Sequence, residues 1–318
     1  MTASPTLTQN LTLDSLKAAA KEFQSNSKSK NTKRSYISDW EDFKAWCLNH
    51  RCEFLPASAE TFSLYITSLS YTHKISSIRR RFASISQAHK LKGLVSPTIH
   101  PSTRLVWQGI LRTKTVSVKH ASPTLLPHIR MIVDSMPDKL IGVRDKAIIL
   151  LGFAGSFRRS EICNIEIDDI ARSDQGLVIR IKKSKTDQTG KGREIGIPYG
   201  EHLETCPIRA IEEWLDCAGI IEGPLFRKVT KDATACASAL SPDGIGFILK
   251  SAFKKAGINV AEFSAHSLRA GFATVAAMAG ASERSTQNQT GHTSKETLRR
   301  YIRHASVFTD NAATKLGL

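Results

Sequence analysis

His266-Ser267-Leu268-Arg269 opens the stretch of sequence on which the expected fold and chemistry depend, and Gly291-His292 and then Tyr301 follow it. His266 and Arg269 are three residues apart, which on a helix places both side chains on one face. An imidazole and a guanidinium group offer two different kinds of hydrogen-bond donor. Such a face indicates a site for an anion, although an ordinary surface pair is the alternative.

An arginine pair lies well upstream, in Arg158-Arg159-Ser160-Glu161. An apolar run and Gly155 precede it, which predicts a buried helix that breaks at the glycine and restarts with a serine cap. The planar fork of Arg158 suits two phosphate oxygens at once. Glu161 is expected to orient Arg158, and a purely structural salt bridge between the two is the alternative.

A lysine-rich turn separates these two regions, with Lys182, Lys183 and Lys185 followed by Thr186-Asp187 and two glycines. The pattern predicts a hairpin tip that reaches into a DNA groove. A lysine there could protonate a leaving alkoxide. A solvated turn explains any single one of the three lysines equally well.

Tyr301 is preceded by Arg299-Arg300 and followed by Arg303-His304. A phenol is a poor nucleophile unaided, and neighbouring cations stabilise its phenolate. Two arginines, two histidines and a lysine around one tyrosine, with no acidic metal cage, predict that the phenol attacks a phosphodiester in DNA.

The composition agrees with a nucleic-acid partner. The chain has 318 residues, a length that favours two domains over one. Its 45 Lys+Arg against 29 Asp+Glu give a formal net charge of +16, which points to a polyanion. The excess is uneven, because residues 1–120 hold 18 Lys+Arg against 7 Asp+Glu. A basic protein that merely stays soluble is the alternative.

The cysteines and the apolar runs limit the other classes. None of the six cysteines forms a Cys-x-x-Cys pair, and no histidine stands at zinc-finger spacing from them. No apolar run has the length of a signal peptide core or a membrane span. The sequence therefore predicts a cytoplasmic, nucleoid-associated protein with reduced cysteines, no metal, no cofactor and no membrane.

The first part of the chain predicts a small all-helical domain. We expect a flexible tail over residues 1–10, a helical domain over 11–112 and a linker over 113–123. Four groups of apolar residues have helical spacing, and Thr32 is the expected N-cap of the first. The four groups are Tyr36, Trp40, Phe43 and Cys47; Phe62, Tyr65, Ile66 and Leu69; Ile78, Phe82 and Ile85; and Leu105, Val106 and Ile110. The third leaves Arg79, Arg80 and Arg81 to point elsewhere.

Residues 124–318 predict a second, mixed domain. Residues 143–154 are apolar enough for a buried helix. Leu177 to Ile181 and Glu194 to Ile197 have the pattern of short strands around a turn. Ile165 to Ile170 is expected to supply a third strand, which would make a small antiparallel meander. From Ile208 onward we expect mainly helices. The predicted fold is therefore mostly α with one small β-meander.

Taken together, these motifs resemble the tyrosine recombinase (phage integrase) family, whose motif order is Arg, a hairpin Lys, His-x-x-Arg, Gly-His, and Tyr nine residues later. Arg158 lies in Phe-Arg-Arg-Ser-Glu-Ile, Lys185 in Ser-Lys-Thr, and Tyr301 follows His292 by nine residues. The resemblance covers about residues 20–310 and is closest to the compact Cre-like branch. Arg159 and Lys183 stand beside the matching positions and are alternatives to Arg158 and Lys185.

The resemblance implies the roles of individual residues. Tyr301 would attack the scissile phosphate and give a 3′-phosphotyrosyl link. Arg158 and Arg269 would hold the non-bridging oxygens, and His292 would donate a further hydrogen bond. His266 would accept a proton or bind phosphate, and Lys185 would be the general acid. Glu161 would support Arg158. The expected DNA-binding residues are Lys28, Lys30, Lys33, Arg34, Arg79, Arg80, Arg81, Lys182 and Lys183.

The resemblance also implies the assembly. An N-terminal core-binding domain and a C-terminal catalytic domain would form a C-shaped clamp on double-stranded DNA with inverted-repeat target sites. Four protomers would pair two sites, and the tail after Tyr301 would contact a neighbouring protomer. Neither metal nor ATP would be needed. Two alternatives remain, a type IB topoisomerase-like activity and a non-catalytic DNA-binding protein derived from an integrase.

Overall fold

The computed structural model describes residues 12–114, 122–182, 192–264 and 266–292, together with 294, 296, 298, 299, 301 and 316, and only the backbone of Lys30. The predicted tail at 1–10, most of the predicted linker, Lys183, Lys185 and most of the segment after Tyr301 lie outside these residues. The chain divides into two compact units, residues 1–118 and 119–318. No described helix is long and apolar enough to cross a bilayer.

The first unit is built from helices. They are α1 (Leu13–Asn26), α2 (Lys30–Asn49), α3 (Ala59–Thr72), α4 (Ile75–Leu91) and α5 (Pro101–Thr113), with a 3₁₀ turn at Pro97–Ile99. Ser58 caps α3 by accepting from the Thr61 amide. The N-cap of α2 is Ser29, not Thr32, whose amide donates to the Ser29 hydroxyl. Both residues can cap a helix, so the predicted cap was wrong by three residues.

Aromatic side chains fill the core of the first unit. Phe43, Phe62 and Tyr65 are buried and pack edge-on or tilted, with the Phe43 and Tyr65 ring centroids 4.9 Å apart. Ile66, Ile78 and Ile85 complete the centre of this core. The apolar faces that the sequence predicts therefore meet one another, since burial of these faces is what stabilises short helices.

A partly buried ion network joins α2, α3 and α4. Arg80 donates to both carboxylate oxygens of Asp39, at 2.7 and 2.8 Å. Arg81 is 7% exposed and donates to Asp42 and to the Tyr65 hydroxyl. The expectation that all three consecutive arginines point away from the core was wrong for Arg81, because successive helical residues are turned by about 100°. Arg79 is exposed.

The second unit mixes helices and two small sheets. In chain order it contains α6 (Leu126–Asp134), α7 (Leu140–Ala154), α8 (Arg159–Cys163), β1 (Ile170–Ser173), β2 (Gly176–Ile181), β3 (Arg193–Pro198), α9 (Pro207–Ala218), β4 (Arg227–Val229), β5 (Ala235–Ala239), α10 (Pro242–Lys255), α11 (Ser267–Met278) and α12 (Glu283–Thr290). The mostly helical fold class is confirmed.

The three-stranded sheet is the predicted antiparallel meander, in the order β1-β2-β3. Ile179 pairs with Ile170 on one side and with Ile195 on the other. The first strand begins at Ile170, where the predicted strand was to end, because residues 167–169 form a 3₁₀ turn. The β4–β5 hairpin was not predicted, since Ala235–Ala239 has no strand-like alternation of apolar residues.

Close backbone packing holds α11 against the rest of the second unit. A Cβ on Gly271 would collide with the carbonyl oxygen of Thr124. The Thr124 amide donates to the Ser267 carbonyl at 3.0 Å. Leu268 is buried and lies against Gly152 of α7. The start of α11 is therefore fixed between α7 and the irregular segment at 122–125, which leaves Arg269 little freedom.

Candidate active site

The junction between α7 and α8 positions Arg158. After α7 ends, Ser156 adopts a positive φ of 50°, which turns the chain sharply before Arg158. Arg158, not Ser160, is the N-cap of α8. Its amide donates to Glu161 Oε2 at 2.8 Å, and its Nη1 donates to Glu161 Oε1 at 2.6 Å. Glu161 is 2% exposed, so it both caps the helix and holds the arginine head.

Arg159 points to a different part of the unit. Its Nη1 donates to the Pro242 carbonyl at 3.4 Å and lies 3.6 Å from Asp243, at the start of α10. The two neighbouring arginines are therefore separated, and Arg158 is the one whose charge acts on Arg269. This geometry favours Arg158 over Arg159 as a site residue.

Arg269 is 1% exposed and lies in the first turn of α11. Its Nη1 donates to the Ser156 carbonyl at 2.7 Å, whereas its buried Nε and Nη2 have no partner among the described residues. Burial lowers the pKa of Arg269 to about 9, and the charge of Arg158 contributes, so the guanidinium stays protonated at pH 7. Two unpaired buried donors on a cation are costly unless an anion meets them.

A third arginine, which no motif indicated, lies in the same cluster. Arg193 begins β3, and its Nη2 lies 3.3 Å from Glu161 Oε2. Arg158 and Arg193 thus pair with one buried carboxylate, which attracts Arg269 only electrostatically, and the four side chains carry a net charge of +2. A low-dielectric pocket with an uncompensated positive charge favours an anion. No group of three or more metal-ligating side chains was found among the described residues.

His292 follows Gly291, whose φ of 60° ends α12. The Thr290 hydroxyl lies 2.8 Å from the Thr286 carbonyl, and only its own proton can lie between those two oxygens. Thr290 Oγ1 therefore accepts from His292 Nδ1, which lies 2.8 Å away. In the neutral ring Nε2 is then unprotonated and carries a lone pair. Burial, with the charges of Arg269 and Arg158, lowers the pKa of His292 to about 3.

His266 and Tyr301 complete the cluster. His266 is exposed at the N-cap position of α11, whereas Arg269 is buried in the first turn. The two side chains therefore lie at the same end of the helix and not, as expected, on one face of it. The Tyr301 ring is half-buried, and its centroid lies 6.1 Å from that of His292. The Tyr301 phenol also acts electrostatically on Arg269. Tyr301 is therefore beside the cations.

The remaining predicted residues have mixed surroundings. Lys182 lies 2.8 Å from Glu166 and 3.0 Å from Asp169, which makes it an ion-pair partner at the end of β2. Lys28 donates to Gln87 and lies over the Tyr36 ring. Lys33 donates to Ser25, and Arg34 is exposed. The buried Arg81 cannot contact DNA without leaving its carboxylates, so its predicted role as a DNA contact is withdrawn.

A model of the phage integrase family matches residues 127–306. The match covers more than half of the 318 residues, and the chain belongs to the phage integrase family, the tyrosine recombinases. Site-specific recombination, with cleavage and rejoining of DNA, is the activity that this membership supports.

The relatives agree over most of the chain. An integrase/recombinase XerD homologue of Selenomonas ruminantium is 38% identical over 305 residues, 95% of this chain and 89% of the relative. The tyrosine recombinase XerC of Myxococcus xanthus is 30% identical over 293 residues, 86% of this chain and 87% of the relative. The recombinase Cre of Escherichia phage P1 is 24% identical over 297 residues, 87% of this chain and 84% of Cre.

Solved structures share the fold. The Tn1549 transposon integrase, in complex with transposon right-end DNA, has a TM-score of 0.64 at 17% identity and covers 94% of this chain and 96% of that chain. The XerH site-specific recombinase, in a post-cleavage complex with palindromic difH substrate, has a TM-score of 0.57 at 18% identity. The match covers 82% of this chain and 71% of that chain. The fold of the chain is that of tyrosine recombinases.

Proposed function

We propose that the chain cuts and rejoins duplex DNA at specific sites through a 3′-phosphotyrosyl intermediate formed on Tyr301. The observation that carries this proposal is Arg269, a buried cation beside a tyrosine ring, with two donors that no residue in the described part of the chain meets. The scissile phosphate supplies the anion that these donors require, and Tyr301 supplies the nucleophile. A net charge of +2 in the arginine cluster offsets the negative charge that builds on the pentacoordinate phosphorus.

In this mechanism the phenolic oxygen of Tyr301 attacks phosphorus while the 5′-oxygen of the next nucleotide departs. Arg158 and Arg269 bind the non-bridging oxygens. A preorganised donor at this position lowers the activation barrier by roughly 3–4 kcal/mol. His266 accepts the phenolic proton or binds the phosphate. Lys185 protonates the departing 5′-oxygen. Its position lies outside the described residues, so this role rests on the motif alone.

His292 requires an additional step before it can act as a donor. In the free protein its Nδ1 proton is held by Thr290 and its Nε2 is unprotonated. The arriving phosphate offsets the repulsion from Arg269 and Arg158, so DNA binding favours uptake of a proton on Nε2. The protonated ring then donates to a phosphate oxygen. His292 therefore becomes charged only when an anion occupies the site.

Rejoining reverses the first step. The 5′-hydroxyl of a partner strand attacks the phosphotyrosine and Tyr301 is released, so the energy of the broken bond is retained and neither ATP nor a metal takes part in the scheme. Four protomers on two inverted-repeat sites perform the exchange in this proposal. Exposed cations of the first unit, including Arg34 and Arg79, bind the duplex backbone. The predicted enclosure of DNA by the two units, the domain boundaries and the contact through the tail stay predictions.

The test uses covalent trapping. Footprinting on DNA that flanks the gene identifies an inverted repeat around a short spacer, and a nicked duplex of that site is incubated with the protein. Wild type should form an SDS-resistant protein–DNA adduct. Tyr301→Phe should bind the duplex and form none, while Tyr199→Phe, at a half-exposed tyrosine of the second unit, should behave as wild type. An adduct that persists in Tyr301→Phe excludes this nucleophile.

The two alternatives give different results in related assays. A type IB topoisomerase-like enzyme relaxes a supercoiled plasmid without two paired sites. A recombinase exchanges strands only when two sites are present. A non-catalytic DNA-binding protein gives a footprint but no adduct with any variant.

A further inference from the structure

Arg193 is the member of the arginine cluster to which the proposed chemistry assigns no task. Its side chain is 19% exposed and extends from the first residue of β3. One end of its guanidinium contacts α8, and the other contacts the end of α12. These two elements carry Arg158 and His292, which lie far apart in the sequence.

On the α8 side, Arg193 contacts the carboxylate that holds Arg158. Glu161 Oε1 accepts from Arg158 Nη1, and Oε2 accepts from both the Arg158 amide and Arg193 Nη2. Glu161 is thus held from two directions. Without Arg193, Oε2 loses its charged partner and keeps only the Arg158 amide, so the carboxylate is held less firmly. Because Arg158 is bound to the other oxygen, its guanidinium would move with Glu161.

On the α12 side, Arg193 covers the turn before His292. Its Nη1 donates to the Gln289 carbonyl at 2.9 Å and lies 3.4 Å from that of Asn288. A cation at the carboxyl end of a helix is stabilised by the unpaired carbonyls and the helix dipole. A Cβ on Gly291 would lie 2.6 Å from Arg193 Nη1, so the guanidinium is packed flat against the residue that precedes His292.

We propose that Arg193 is a positioning residue for DNA cleavage, because it ties Glu161 to the end of α12 and thereby sets Arg158 and His292 at one distance from the scissile phosphate. The proposal rests on the phosphotyrosyl mechanism above. Arg193 does not touch the substrate in this scheme.

A lysine cannot replace the arginine in this role. The two contacts of Arg193 use different nitrogens of a rigid planar fork, and a single ammonium cannot reach Glu161 and the Gln289 carbonyl with the same geometry. A lysine would retain the positive charge near Glu161 and His292. Arg193→Lys therefore separates charge from bridging, whereas Arg193→Met removes both.

The experiment measures single-turnover formation of the covalent adduct on the nicked duplex at saturating protein, per mole of folded protein. Arg193→Met should slow adduct formation roughly 10–100-fold, because small displacements of site residues have effects of that size, and should change the DNA affinity less than about threefold. Arg193→Lys should also be slow. If Arg193→Met does not fold, Arg193→Lys alone decides, since full activity in that variant overturns the bridging role.

The pH profile supplies a readout that a purely structural arginine would not move. The charge of Arg193 contributes to the low pKa of His292. Because His292 acts in its protonated form, removing that charge should raise its pKa and shift the alkaline limb of the rate profile to higher pH in Arg193→Met, with a smaller shift in Arg193→Lys.

Arg144→Met is the matched control. Arg144 is a buried arginine of the same unit that pairs with Asp145 at 2.7 Å and donates to the Arg227 carbonyl. Its loss should lower stability and leave both the rate per folded molecule and the pH profile unchanged. If wild type forms no adduct, the proposed function fails. If wild type reacts and Arg193→Met reacts at the same rate with the same pH profile, only the role of Arg193 fails.

Discussion

Arginines that pair with carboxylates occur in both units, but the balance of charge around them differs. In the first unit Arg80 and Arg81 pair with two carboxylates, Asp39 and Asp42, so the positive and negative charges are equal in number. In the second unit the three arginines Arg158, Arg193 and Arg269 have one nearby carboxylate, Glu161, which only Arg158 and Arg193 contact. Two donors of Arg269 and the Nε of Arg193 have no partner among the described residues.

The difference separates a structural network from a binding site. Charges that balance within the fold are compensated when the chain folds, so their desolvation is offset by neighbours. Charges that do not balance leave donors for a ligand, and the fold tolerates them because the rest of the unit is well packed. An excess of buried cations is therefore a stronger sign of an anion site than the number of arginines.

The largest expected effect on the cleavage rate tests the arginine cluster of the second unit, where Arg158, Arg193 and Arg269 outnumber Glu161. Arg269→Met should slow adduct formation about 10²–10³-fold, equivalent to roughly 3–4 kcal/mol, because a preorganised donor to the phosphate is lost. The free energy of unfolding should change by less than about 1 kcal/mol, since relief of repulsion from Arg158 and Arg193 offsets the lost bond to Ser156. Single-turnover trapping and urea denaturation measure the two quantities. A large loss of stability would make the cluster structural.

The next effect, on stability, tests the network of the first unit, where two arginines pair with two carboxylates. Arg81→Met should lower the free energy of unfolding by roughly 1.5–3 kcal/mol, the range for hydrogen bonds between charged groups, because Asp42 is 46% exposed and Arg80 still holds Asp39. The rate of adduct formation per folded molecule should stay at the wild-type value. Urea denaturation of the two variants side by side makes the comparison. Equal losses of stability for Arg81→Met and Arg269→Met would remove the distinction between the two regions.

A smaller effect concerns pH. The pKa of His292 is lowered to about 3 from 6.5, so between these values the unfolded chain binds a proton that the folded chain does not. Stability should therefore fall as the pH drops below about 6.5 and level off near 3. The loss should be about 1–2 kcal/mol, because the ring is partly exposed and screened.

Thermal unfolding at pH 7.5 and 5 checks this expectation. His292→Phe should flatten the dependence, and His202→Phe, at an exposed histidine of the same unit, should not. A slope that is unchanged in His292→Phe would show that the cationic cluster does not exclude the proton.

The smallest effect concerns surface cations of the first unit. Arg79 is exposed, whereas Arg80 already pairs with both oxygens of Asp39. Arg79→Ala should reduce the slope of log affinity against log salt by about one, since one phosphate contact is lost. Arg80→Ala should change it less. Fluorescence anisotropy at several salt concentrations distinguishes the two, and the reverse order would indicate that Arg80 leaves Asp39 on binding.

Local periodicity predicted the helices well, because each apolar face is set by neighbours in the sequence. The face of Phe43 and Cys47 on α2 and the apolar run of α7 are both found. Short elements were less predictable. The run from Ile165 to Ile170 is apolar, yet its end forms a 3₁₀ turn, since a strand exists only where a partner strand is available. The β4–β5 hairpin was missed because β5 has no alternation of apolar and polar residues, and its strands form only by pairing with each other.

The residues of the candidate site also fall into those that motifs predicted and those that only the structure showed. Arg158, His266, Arg269, His292 and Tyr301 were selected from motifs. Arg193 was not, because its importance depends on β3 lying beside α8 and the end of α12. The sequence suggested neither that Arg81 is buried nor that Arg159 points to α10, because both outcomes depend on contacts made between distant segments.

By itself the sequence determined the helical character of the chain, its polyanionic partner and the types of residue that carry the chemistry. These follow from local spacing, net charge and side-chain acidity, which do not require the fold. The tertiary structure alone decided which arginines are neutralised and which remain uncompensated. Desolvation and Coulomb interactions depend on burial and distance, and both arise only when α8, β3, α11 and α12 meet in one unit.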